Sequence, residues 1–132
     1  MSKRLIAILI PMAFLLSTGC STSPTGDSTA TTAPATVEVP AEFQNGEKLF
    51  NDNCRRCHGT QAAGTNQGPP LVHQTYEPNH HSDGAFQSAV RNGSQAHHWN
   101  FGNMPPTAGV SEQQVTEITA YVRFLQRQAG IE

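Results

Sequence analysis

The sequence predicts an all-α domain of about 90 residues, Ala41 to Glu132, and two observations carry that prediction. Val115, Ile118, Val122 and Leu125 recur at three- and four-residue intervals, the period of a helix with one buried face. No stretch alternates polar and apolar residues with period two, so nothing reads as a half-buried strand. A domain of this size has a small core and is marginal without something to staple it.

The elements follow in chain order. Glu42 to Asn53 reads as a short helix with Phe43, Leu49 and Phe50 on or near one face. Gly46 in its middle costs helix propensity unless another backbone approaches closely there. Gly59 to Gln74 holds Gly59, Gly64, Gly68, Pro69 and Pro70 and reads as loop. Ser82 or Asp83 caps a second helix, Gly84 to Asn92, with Phe86 and Val90 four residues apart and Gly93 as its stop. Residues 94 to 109 form another loop, which carries Trp99, Phe101, Met104, Pro105 and Pro106. The last helix starts at a capping box, Ser111 with Gln114, and stops at Gly130.

Between the first helix and the first loop stands Cys54-Arg55-Arg56-Cys57-His58. Two cysteines with two residues between them and a histidine directly after form the attachment signal for a c-type haem. On one turn of backbone the two thiols reach the two vinyl groups of one porphyrin, and His58 is carried under the ring to bind iron from the proximal side. A structural zinc site wants a second ligand pair at regular spacing, which the chain lacks. A redox dithiol wants a strand–helix setting, whereas a Gly-rich loop follows Cys57. The cofactor expected is therefore one covalent haem c, the apolar body around which the small core forms.

The N-terminus lies outside this domain. Lys3 and Arg4 precede an apolar run from Leu5 to Leu16, too short to span a membrane and suited to a signal peptide, residues 1–19. The run ends at Leu16-Ser17-Thr18-Gly19-Cys20, which resembles the lipobox of bacterial lipoproteins and makes Cys20 the expected site of lipidation. With Cys20 lipidated and Cys54 and Cys57 on haem, no cysteine remains for a disulfide. Residues 20–40, rich in Ser, Thr, Ala and Pro, bury too little to offset their ordering entropy and read as a flexible tether of roughly 25 Å. The expected location is extracytoplasmic, anchored to a membrane by the lipid on Cys20. After Cys20, six Lys/Arg face ten Asp/Glu, with no basic tract for nucleic acid.

With these parts placed, residues 41–131 resemble a class I, monohaem cytochrome c, here in a bacterial lipoprotein form. Gly46 and Phe50 match the family's Gly-x-x-x-Phe, whose small residue lets the first helix cross the last, at Ile118 and Tyr121. Gly68-Pro69-Pro70-Leu71 is similar to the family's Gly-Pro-x-Leu, which implies that the Pro69 carbonyl orients His58. Asn92-Gly93 matches a common turn before the distal loop. Met104-Pro105 looks like the family's axial methionine and proline, so the resemblance implies Met104 as distal iron ligand. What the resemblance implies in function is a monomeric carrier of single electrons between a protein donor and a protein acceptor, not an enzyme.

Five histidines are left over. His73, His80, His81, His97 and His98 compete with Met104 for iron, and the pairs His80/His81 and His97/His98 flank the second helix, where they form a candidate second metal site for copper or zinc. Adjacent side chains on a regular element point apart, which weighs against either pair supplying two ligands. The plainer expectation is surface imidazoles near a haem propionate, with Trp99 a candidate contact to that propionate. Two other classes stay in view: a haem-based sensor or weak peroxidase, for which Arg91 and the histidines are the only candidate distal groups, and a copper-handling haem lipoprotein built on the paired histidines.

Overall fold

The computed structural model describes residues 36–132. The signal peptide, Cys20 and most of the tether lie outside the described residues. Four α-helices follow in order: α1 (Gln44–Asn53), α2 (Arg55–His58), α3 (Asp83–Asn92) and α4 (Glu112–Gln128). Short 3-10 turns at Ala41–Phe43, Thr60–Ala62 and Gln74–Tyr76 join them, and no strand occurs among the described residues. The all-α reading holds. No helix among the described residues is long and apolar enough to cross a membrane.

The core is the crossing of α1 and α4. A Cβ on Gly46 would fall onto the Glu117 carbonyl and lie 3.0 Å from Tyr121 Cβ, so only glycine lets the two backbones come together. The contact is with Glu117 and Tyr121, one residue from the expected Ile118, because the backbone and not an apolar side chain meets Gly46. Phe50 and Tyr121, both 0% exposed, pack at 5.7 Å between ring centres, and Phe43 stacks on Phe124 at 4.9 Å. Val115, Ile118, Val122 and Leu125 are all buried, as their spacing requires.

The capping box of α4 is complete: the Ser111 hydroxyl accepts from the Gln114 amide, and the Gln114 side chain accepts from the Ser111 N–H. The start of α3 differs. Ser82 occupies the cap position but its side chain makes no capping bond. The Asp83 carboxylate instead receives the Arg123 guanidinium at 2.9 Å.

Arg123 organises much of the far side of the molecule. It is 7% exposed and donates to the Tyr76 and His81 carbonyls and to the Gln126 side chain as well as to Asp83. Gln126, 1% exposed, donates in turn to the Leu71 and Tyr76 carbonyls. These two side chains satisfy backbone acceptors that a loop would otherwise bury unpaired.

The domain begins earlier than Ala41. Val37 donates its N–H to the Gln61 side chain at 3.0 Å and accepts from it at 2.7 Å, while Val37 and Val39 pack against the core. The end of the expected tether, residues 36–40, is therefore docked, because its two valines add apolar area and Gln61 pairs the extended backbone. Gln61 and Ala62 both hold positive φ, 50° and 57°, an uncommon conformation for residues other than glycine. The Ala62 carbonyl is used by the Leu71 N–H at 2.8 Å.

Candidate functional site

The five-residue motif folds as one tight turn. The Cys57 and His58 amides both donate to the Cys54 carbonyl, at 3.1 and 3.0 Å, and α1 feeds straight into it through Cys54 N–H to Phe50 carbonyl at 2.7 Å. Cys54 and Cys57 are half-buried free cysteines. Burial, and then the neighbouring Cys57, push the Cys54 thiol up to about 11.

The loop after α2 folds back onto the motif. The Gly64 amide donates to the His58 carbonyl at 2.6 Å, and the Thr65 hydroxyl to the Cys57 carbonyl at 2.6 Å. A Cβ on Gly68 would lie 2.9 Å from that same Cys57 carbonyl oxygen, so the Gly68–Pro69 segment reaches the motif only without a side chain. Pro69 then presents its carbonyl 2.9 Å from His58 Nδ1. A carbonyl can only accept, so Nδ1 carries the proton and Nε2 keeps its lone pair. Burial, partly opposed by this bond, holds His58 below the ordinary imidazole range. The ring is thus oriented, with Nε2 left free to bind.

Met104 is held on the other loop by its backbone. It exchanges two 2.9 Å hydrogen bonds with Ser94, directly after the glycine that ends α3. That glycine, Gly93, has φ 78°, and a Cβ there would lie 2.6 Å from the Met104 carbonyl oxygen. The Thr107 amide donates to the Val90 carbonyl at 2.8 Å and secures the far end of the segment.

These pieces surround one cavity of about 850 Å³. Cys54, Cys57, His58, Pro69, Trp99 and Met104 all line it. The cavity suits a covalently held haem on three counts. Thiols, an imidazole lone pair and a thioether share it, apolar side chains such as Phe50, Leu71 and Ile118 supply its walls, and the buried Trp99 indole N–H has no hydrogen-bond partner. A buried donor without an acceptor is costly, and a propionate oxygen is an acceptor of the kind it lacks. The Tyr76 phenol is close enough to feel the Trp99 N–H, which opposes the upward push of burial on it, but the two groups do not meet hydrogen-bond geometry.

The leftover histidines are brought together. Ring centres lie 4.8 Å apart for His80/His81, 5.0 Å for His80/His98 and 5.1 Å for His81/His98. His97 stacks against the group, 4.2 Å from His98 and 5.7 Å from His81. Both pairs lie in turns rather than on a helix, which removes the geometric objection to them. Burial first, and then the neighbouring His80, His97 and Arg123, hold His81 below the ordinary range, against the opposing bond to Thr75. His73 stands aside, its ring edge-on to Trp99 at 5.0 Å. Arg91 pairs with Glu112 at the surface and does not line the cavity. Sequence reasoning missed Arg123 and Gln126 as supports of this region. Their signal is faint: with Thr119 they form a polar stripe at four- and three-residue spacing beside the apolar one.

A family model described as Cytochrome c matches residues 43–126, well over half of the chain. No curated protein and no solved structure matches.

Proposed function

We propose that this chain, which belongs to the cytochrome c family, is a membrane-tethered carrier that moves single electrons between protein partners outside the cytoplasm. At the coarse level it is a haem-based electron carrier with one covalent haem c on Cys54 and Cys57. When bound, that group supplies a one-electron ferric–ferrous couple.

The observation that carries the finer reading is the pairing of His58 and Met104 on one cavity wall set. His58 has its Nδ1 proton committed to Pro69 and offers Nε2, while Met104 is fixed by both backbone bonds to Ser94. His58 and Met104 would hold the iron of such a group between them and leave no place for substrate, which favours electron transfer, and a thioether would raise the potential. Rigid backbone support on each side limits what must move when the charge changes. The lipobox-like Leu16-Ser17-Thr18-Gly19-Cys20 supports lipid anchoring, and the Ser/Thr/Pro-rich residues after it support a tether that lets a monomeric domain reach a donor and an acceptor.

Absorption spectra of oxidised and reduced protein test the ligation. The oxidised wild type is expected to show the weak red sulfur–iron charge-transfer band, and Met104→Ala to lack it. A wild type without the band would remove Met104 from the site, and rapid carbon monoxide binding to the reduced wild type would favour the sensor or peroxidase reading. Fractionation of cells carrying Cys20→Ser tests the anchor: the domain is expected to move from the membrane to the soluble fraction.

A further inference from the structure

We propose that His80, His81 and His98 form a second metal site, distinct from the haem iron, that takes one first-row dication and prefers copper(II). His80, His81 and His98 each offer a ring nitrogen, and these atoms lie within 4.8 Å of one another. Their ring centres make a nearly equilateral triangle of 4.8, 5.0 and 5.1 Å.

One ring of the triangle, His81, and its neighbour His97 are each oriented by a backbone bond. His81 gives its Nδ1 proton to the Thr75 carbonyl at 2.6 Å, and His97 gives its own to the Gln95 carbonyl at 2.7 Å. Each such bond fixes the tautomer and turns the Nε2 lone pair outward, the arrangement that metal-bound histidines use. His73 is the internal contrast. Its Nδ1 accepts from the Thr75 amide at 3.1 Å, which spends the lone pair on the backbone.

The two loops are also held independently of the rings. His80 and His81 donate their amides to the Glu77 carbonyl at 3.1 and 2.8 Å, and the His81 carbonyl is taken by Arg123. On the other loop the Ala96 amide donates to the Asn103 side chain at 2.9 Å. Among the described residues no ion pair involves any of the four rings, so no carboxylate explains their gathering.

Closure onto an ion is a small movement. Nitrogens sharing one tetrahedral ion at bond lengths near 2.0 Å stand about 3.3 Å apart. His80 and His98 are exposed, and rotation of those two rings draws the donors in. An all-imidazole set suits copper, zinc and nickel, and affinity among first-row dications peaks at copper(II). His97 lies beside the triangle as a fourth nitrogen. His81, His97 and His98 also line the haem cavity, so an ion here shares a wall with the haem.

The test is titration of the haem-loaded protein with copper(II) and, separately, zinc(II), followed by calorimetry and, for copper, by the nitrogen couplings in its paramagnetic resonance spectrum. One equivalent of either ion is expected to bind, copper more tightly, with couplings from at least three nitrogens. Loss of a partner outside the coordination sphere alone costs about 10–100-fold in affinity, so His80→Ala and His98→Ala should each weaken binding at least about tenfold. His73→Ala should bind as wild type does. Haem absorption is recorded for every variant, and its preservation in His80→Ala, whose ring lies outside the lining of the haem cavity, shows an intact fold. Absence of stoichiometric uptake, or uptake indifferent to His80 and His98, would each overturn the site. The red band of the Met104 test is unaffected by these outcomes, so the two readings fail separately.

Discussion

His58 and His81 are held by the same device in opposite surroundings. Each gives an Nδ1 proton to a backbone carbonyl, Pro69 at 2.9 Å for the one and Thr75 at 2.6 Å for the other. His58 faces a large cavity between the two cysteines and Met104, whereas His81 stands in a triangle of imidazoles with two exposed partners. The difference teaches what makes an imidazole a ligand. The carbonyl behind the ring decides which nitrogen is offered, and the company in front of it decides to what. His58 and its cysteines arrive as neighbours on one turn, while the triangle needs two loops on either side of α3 to meet.

The comparison is broken most severely at His58. Its removal as His58→Ala is expected to abolish the wild-type haem spectrum and most of the yield of haem-loaded protein, read by absorbance against total protein. His81→Ala should leave that spectrum standing, and equal damage from both would mean that the two rings serve one site.

A smaller effect comes from the support they do not share. Arg123→Ala strips buried donors from the Tyr76 and His81 carbonyls, and a loss of about 2–4 kcal/mol in unfolding free energy is expected by denaturant titration. The exposed Asp83 contributes little of that sum. Arg123 makes no bond to His58 or Pro69, so haem-band intensities should persist in folded Arg123→Ala while zinc affinity falls. A change confined to the haem bands would reverse the assignment of Arg123 to the triangle.

The smallest expected effect sharpens the link between the sites. Zinc(II) at the triangle places positive charge beside the cavity wall formed by His81 and His98, which disfavours the more positive ferric state. The haem midpoint potential should therefore rise with zinc, measured by spectroelectrochemistry, and the rise should vanish in His98→Ala. An unchanged or lowered potential would separate the two metals electrostatically.

The ease of reading these parts from sequence followed the range of the interactions behind them. Helix α4 was legible because Ser111, Gln114 and four apolar residues encode it within one helix. The haem motif was legible for the same reason. Gly46 announced a close approach, though not that Glu117 would supply the backbone on the other side. Arg123 and Gln126 were silent, because their partners at Leu71, Tyr76, His81 and Asp83 lie 40 or more residues away and periodicity carries no record of such pairs. The docking of Val37 on Gln61 was hidden for a further reason: a Ser/Thr/Pro-rich composition outweighed two isolated valines.

That docking has a mechanical meaning. A pull on the N-terminus loads first the two hydrogen bonds between Val37 and Gln61, before it reaches α1 and the Gly46 crossing. The clasp acts as a strain relief on a cable. It passes tension to the 3-10 turn just beyond His58 rather than along the axis of α1.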